Sequence, residues 1–230
     1  MTHSPLAILF DLDGTLVDAS DPIADGILQL ARDRGLAVPT REWALARIGF
    51  SPAETWRELG ADDPAALVTL FRERFLEDLP ARTRLLPGMR ETLAGLHGHG
   101  YRLALATTRG NASAIATLAH AGVLELMECI GGGDDVARHK PAPDVIRFVL
   151  ERLRCEPGDA LMVGDTAADV EAAHAAGVTC WSVLGGTHDE ATLRAAGTDS
   201  ILSGIAALPA ALGLPAPASA LPPARPGAAP

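Results

Sequence analysis

Asp11-Leu12-Asp13-Gly14-Thr15-Leu16 directly follows a short apolar run at residues 6–10. That run reads as a buried parallel strand, so two carboxylates two residues apart fall where such a strand opens into a ligand crevice. Burying like charges together is unfavourable unless a cation or another partner compensates them. Taken alone, Asp-x-Asp-Gly also fits a turn, with Asp as the cap and Gly supplying a positive φ. The rest of the chain has to decide between the two readings.

Three more apolar runs, at residues 102–106, 160–163 and 178–183, each end in a polar or glycine-bearing turn. Between the later runs, residues 112–121, 144–153 and 167–176 place apolar side chains at helical spacing. Strands alternating with helices predict an α/β fold built on a doubly wound parallel sheet. The alternation stops between about residues 18 and 87, where the pattern holds helical stretches and no strand. Ile23, Ile27, Leu28 and Leu30 form one expected apolar stripe there, and Leu67, Leu70, Phe71 and Phe75 another. Ser51-Pro52-Ala53-Glu54 reads as a helix start with a capping box. The expected organisation is a core from residues 1–17 and 87–213, an inserted helical unit at 18–86, and a disordered Ala/Pro-rich tail at 214–230.

The chain of 230 residues suits one core plus a smaller unit, and 48% hydrophobic residues suit a folded protein. A net charge of −10 argues against nucleic acid or an anionic membrane as partner, since both call for an electropositive face. Cys129, Cys155 and Cys180 are odd in number and widely spaced, which suits neither disulfides nor zinc. With no signal-like start and no apolar run of membrane-spanning length, the expected location is the cytoplasm. A monomer and a homodimer are equally compatible with the sequence.

A second carboxylate pair follows residues 160–163, in Gly164-Asp165-Thr166-Ala167-Ala168-Asp169. Thr166 and Asp169 have the spacing of a helix cap and its partner, which leaves Asp165 unexplained. If the two strand ends are neighbours, Asp11, Asp13 and Asp165 converge, and such hard oxygen ligands favour Mg2+. Lys140, in His139-Lys140-Pro141-Ala142-Pro143-Asp144, is the only lysine in a chain that otherwise uses arginine. A compact ammonium retained there fits a place too tight for a guanidinium fork, although one surface lysine left by chance fits too. Thr107 ends the run at 102–106, where its hydroxyl either donates to a phosphate oxygen or caps the helix beginning near Asn111.

Asp11 to Asp18, strand-terminal Thr107, Lys140 in its Lys-Pro-Ala-Pro-Asp setting and Gly164 to Asp169 resemble the four ordered motifs of haloacid dehalogenase superfamily phosphatases. The helical insertion is similar to the cap of the phosphoglycolate phosphatase and β-phosphoglucomutase branch, and Arg47-Ile48-Gly49-Phe50 resembles its substrate-facing cap loop. The resemblance implies Asp11 as the nucleophile that becomes an aspartyl-phosphate, and Asp13 as general acid and base. It implies Mg2+ held by the Asp11 carboxylate, the Asp13 carbonyl and Asp165, with Asp169 behind them. Lys140 and Thr107 would hold the phosphoryl oxygens.

The second Asp of the first motif argues for phosphoryl transfer over dehalogenation, and the absence of lysine from the insertion argues against Schiff-base chemistry. Thr108 and Arg109 stand where relatives often carry Asn and Lys. Arg109 and Arg47 are candidates for a substrate carboxylate or second phosphate, the plainer alternative being solvated surface arginines. Phe50, Trp43 and Trp56 line the insertion's pocket or, for the tryptophans, fill its core. The implied substrate is a small phosphorylated metabolite. Sugar phosphomutase and non-catalytic phosphate binder remain open alternatives.

Overall fold

The structure is a computed structural model that describes residues 6–48, 51–75 and 79–215. The tail expected to be disordered lies outside the described residues from 216 onward, as do Gly49 and Phe50. Strands β1 (Ala7–Phe10) and β2 (Val17–Asp18) precede helices α1 (Ser20–Asp33), α2 (Arg41–Leu45), α3 (Pro52–Glu58), α4 (Pro64–Phe75) and α5 (Leu79–Arg82). Then come β3 (Arg84–Leu85), α6 (Met89–Gly98), β4 (Arg102–Ala106), α7 (Asn111–His120), β5 (Met127–Gly131) and α8 (Asp144–Leu153). The chain continues through β6 (Ala160–Gly164), α9 (Ala167–Ala176), β7 (Thr179–Val183), α10 (Glu190–Ala195) and β8 (Ser200–Leu202).

Six strands form one sheet in the order β5-β4-β1-β6-β7-β8, paired in parallel throughout. Successive side chains of a strand point to opposite faces, and β1 uses both for apolar burial. Ile8 and Phe10 pack with Met89, Leu93, Leu96 and Leu118 of α6 and α7. Ala7 and Leu9 pack with Val145, Val149, Val170 and Ala173 of α8 and α9. A strand covered on both faces has to be apolar throughout, and the doubly wound α/β fold follows from that requirement.

Two sheet strands escape the sequence pattern. The edge strand β5 reads Met-Glu-Cys-Ile-Gly and is only partly buried, and the other edge, β8, has three residues. The expectation of no strand between residues 18 and 87 also needs correction, because β2 pairs antiparallel with β3 as a two-residue ribbon where the chain leaves and rejoins the sheet. Arg84 closes that ribbon with an ion pair to Asp18 at 2.6 Å.

The intervening helices gather their own apolar cluster around Ala24, Ile27, Leu30, Trp56 and Leu59, with Leu67, Leu70, Phe71 and Phe75 packed against it and Leu28 outside it. The Trp56 and Phe71 rings sit 5.8 Å apart. Gly26 lets α1 and α4 approach, since a Cβ there would stand 2.8 Å from the Phe71 ring. Ser51 occupies the cap position of α3 and Pro52 its first turn, but the Ser51 hydroxyl makes no capping bond, so the expected capping box is absent. Among the described residues, no helix is long and apolar enough to cross a membrane.

Candidate active site

Because β4, β1 and β6 are neighbours, the residues that leave their carboxyl ends meet at one edge of the sheet. Asp11 leaves β1 with its N–H still bonded to the Val163 carbonyl (2.9 Å), and Thr107 leaves β4 bonded to the Gly131 carbonyl (3.0 Å). Lys140 reaches in from the loop before α8. Its Nζ donates to Asp11 Oδ1 at 2.7 Å and to Asp169 Oδ1 at 2.5 Å. All three side chains are buried, so the lone lysine is an interior cation and not a surface one.

Asp169 serves two partners at once. Its backbone N–H donates to Thr166 Oγ1 at the start of α9 while its Oδ2 accepts from the Thr166 N–H, the capping box read from the sequence. Its other oxygen faces Lys140. Carboxylate oxygens of Asp11, Asp165 and Asp169 all lie within 4.8 Å of one another.

Three buried carboxylates against one ammonium leave the site short of positive charge. Burial, followed by repulsion from Asp169 and Asp165 against the pull of Lys140, pushes the Asp11 carboxyl up to about 8. Burial and Asp169 push Asp165 up to about 7. For Lys140, burial alone would lower the affinity for the proton, but attraction to Asp11 and Asp169 overrides it and raises that affinity. A buried, oxygen-only cluster in which carboxylates resist ionisation fits a hard divalent cation, which would remove that resistance.

Asp165 is aimed by groups that sequence reading did not identify. Thr15 Oγ1 donates to its Oδ1 at 3.0 Å, and the Thr187 N–H donates to its Oδ2 at 2.6 Å. Two glycines make room for the carboxylate. Gly14 has φ of +87°, and a Cβ there would lie 2.1 Å from Asp165 Oδ2; at Gly186 it would lie 2.3 Å away. The loop after β7 therefore belongs to the site, although Gly185-Gly186 reads in sequence as an ordinary turn.

The Asp13 carboxylate, expected to converge with Asp11 and Asp165, is not part of the Asp11, Asp165 and Asp169 cluster. Arg109 takes both of its oxygens, Nε donating to Oδ2 at 3.0 Å and Nη2 to Oδ1, while Nη1 donates to Thr117 Oγ1 at 2.8 Å. The alternative of a solvated Arg109 is thereby corrected: its side chain is only 5% exposed. Thr107 does not cap α7, whose cap position is Gly110; its hydroxyl accepts from the Arg109 N–H at 3.2 Å.

A cavity of about 100 Å³ lies between this edge and the helical segment. Asp13, Thr108, Arg109 and Gly110 line it from the sheet side, and Ile23, Ile27, Ile48, Trp56, Val68 and Phe71 form much of the facing wall with Arg47 and Arg72. Arg47 is held by Glu58 at 2.6 Å and lies over the Trp43 ring at 4.9 Å. Trp56 is thus both core and pocket wall, whereas Trp43 does not reach this cavity.

Residues 8–183 match the family model of the haloacid dehalogenase-like hydrolases. A plasmid-encoded phosphoglycolate phosphatase of Cupriavidus necator is 32% identical, with 90% of this chain and 92% of that protein covered. A phosphoglycolate phosphatase of Rhodospirillum rubrum is also 32% identical, over 93% of each chain. Among solved structures, CbbY from Rhodobacter sphaeroides in complex with phosphate superposes with a TM-score of 0.77 at 28% identity, covering 91% of this chain and 100% of that one. The chain belongs to the haloacid dehalogenase-like hydrolase family. Within that family it falls in the phosphoglycolate phosphatase-like branch.

Proposed function

We propose that the protein is a phosphoric monoester hydrolase that acts on a small organic phosphate of the 2-phosphoglycolate kind through an aspartyl-phosphate on Asp11. The observation that carries this reading is the buried convergence of Asp11, Lys140, Asp165 and Asp169 at the end of β1. The similarity to phosphoglycolate phosphatases and to a phosphate-bound relative supports the substrate class.

In the first half-reaction an Asp11 oxygen attacks phosphorus, the ester P–O bond breaks, and the departing oxygen takes a proton from Asp13. In the second, water attacks the same phosphorus and gives its proton to Asp13 as the Asp11–phosphorus bond breaks, returning both side chains to their starting forms. Since Arg109 holds Asp13 in the structure, this role requires Asp13 to turn from the guanidinium toward the leaving oxygen. Lys140 and the Thr107 hydroxyl meet the phosphoryl oxygens as charge spreads over them.

Asp11, Asp165 and the Asp13 carbonyl would hold Mg2+, with Asp169 supporting from behind. When bound, Mg2+ supplies positive charge that lets an anionic carboxylate approach an anionic phosphate. The helices between β2 and β3 act as a cap over the cavity, with Thr108, Arg109 and Arg47 on its walls; the substrate contacts expected of Gly49 and Phe50 fall outside the described residues. Cys129, Cys155 and Cys180, all unpaired, accord with a cytoplasmic location.

The test is to incubate the purified protein with magnesium and a panel of phosphate esters, following free phosphate and sugar-phosphate isomers. Phosphate release that needs the metal and no bisphosphate activator supports the hydrolase. Isomerisation without phosphate release would favour the mutase, and neither would leave a binding protein.

A further inference from the structure

The cavity presents three guanidinium groups, and they are not equivalent. Arg109 is committed to Asp13 and Thr117, and Arg47 to Glu58 and the Trp43 ring. Arg72, on α4, lines the same cavity without a carboxylate at ion-pair distance among the described residues. Its neighbours in the wall are Val68 and Phe71, and Ile23, Ile27 and Trp56 stand beside them. A cation on a largely apolar wall, beyond ion-pair distance of every described carboxylate, is a seat for an anion brought from outside.

Two further contacts locate this guanidinium with respect to the reacting groups. A Cβ built on Gly110 would stand 3.2 Å from Arg72 Cζ and Nη2, so the fork lies against the chain three residues past Thr107. Arg72 also disfavours protonation of His139, second in importance to the burial of that ring, and His139 immediately precedes Lys140. The fork therefore stands next to both segments that deliver the phosphoryl-facing side chains. Asp134 Oδ2 would stand 3.0 Å from the same Cβ, which brings this carboxylate near the fork but not within ion-pair distance, while its Oδ1 accepts from the Asn111 N–H.

We infer that Arg72 receives a carboxylate on the organic half of the substrate, and that it sets the preference for carboxylate-bearing phosphate esters. The planar fork matches a planar carboxylate with two parallel hydrogen bonds. Arg72 shares the cavity with Asp13 and Arg109, so a group held by its fork lies on the organic side of the leaving oxygen. This inference rests on the hydrolase reading, gives it a specificity determinant, and shifts that role from Arg47 and Arg109 to a residue with no motif around it.

The experiment compares 2-phosphoglycolate with ethyl phosphate, which keeps the spacer and replaces the carboxylate by a methyl group. The wild type should prefer 2-phosphoglycolate in kcat/KM by roughly 10–100-fold, the range expected for a charge-assisted hydrogen-bond pair. Arg72→Met should remove most of that preference through KM and leave ethyl phosphate within about twofold of wild type, while Arg72→Lys restores part of it. Equal loss on both esters would mean a structural role and overturn the inference, as would an unchanged preference or none in the wild type. Calorimetric binding of 2-phosphoglycolate to Asp11→Asn, with and without Arg72→Met, decides the matter independently of turnover. If the wild type cleaves no ester, the hydrolase reading fails, while a drop in affinity on removing Arg72 still upholds the carboxylate seat and no drop overturns it.

Discussion

Arg109 and Asp13, 96 residues apart in sequence, form a two-pronged ion pair in the wall of the cavity, with 3.0 Å between Arg109 Nε and Asp13 Oδ2. Both side chains are largely withdrawn from water. Removing one partner of such a pair strands the other charge, which costs more than the pair contributes. Arg109→Met should therefore lower the unfolding free energy by about 3–5 kcal/mol, measured by urea denaturation without metal. The double variant Arg109→Met/Asp13→Asn should recover part of the loss.

Asp13 is assigned two proton transfers, and leaving groups separate them. With p-nitrophenyl phosphate, whose leaving group needs no proton, Asp13→Asn should still form the phospho-enzyme but hydrolyse it slowly. The expected trace is a burst of about one nitrophenolate per protein, followed by a steady rate lower than wild type by roughly 10²–10⁴-fold. A low rate with no burst would place Asp13 elsewhere in the mechanism.

Gly186 lies against Asp165 so closely that any side chain displaces the carboxylate. A Cβ there would also stand 2.5 Å from the Gly14 carbonyl, so Gly186→Ala should displace the loop after β7, while the sheet, which contains no part of that loop, stays folded. The substitution should weaken magnesium affinity by about 10–100-fold, the usual range for disturbing a group that orients a ligand. Calorimetric titration of the metal alone reads the effect without substrate.

Metal affinity should also depend on pH. Asp11 and Asp165 have folded-state values raised to about 8 and about 7, above the ordinary 3.8 of a free carboxyl. A raised value stabilises the fold fully below the unfolded value and loses that contribution as pH climbs through the folded one. The metal-free protein should thus lose stability between about pH 4 and pH 8, and a divalent cation should displace protons over the same interval. Titrations in buffers of different ionisation enthalpy near pH 6 should show one to two protons released per magnesium bound, falling toward zero above about pH 9.

How far the sequence could be read depended on burial. Central strands β1, β4 and β6 are covered on both faces, so they must be apolar runs, and the carboxylates and hydroxyl that leave them announce the site. Edge strands β5 and β8 carry no such constraint and went unseen. The two residues each of β2 and β3 are too few to show any periodicity. Lys140 was legible because it is the single lysine in the chain. The pairing of Arg109 with Asp13, the hold of Thr187 on Asp165 and the exposure of Arg72 to the cavity are tertiary facts. Nothing in the local sequence distinguishes those arginines from solvated ones, or that Gly-Gly loop from a plain turn.

Asp11 supplies the oxygen that bonds to phosphorus, and every other residue's role depends on that bond. Asp11→Asn keeps the volume and removes the attacking charge, so phosphate release from the best ester in the panel should fall by at least about 10³-fold, with circular dichroism and the melting transition still those of a folded protein. Phosphate release close to the wild-type rate from that folded variant would contradict that role for Asp11.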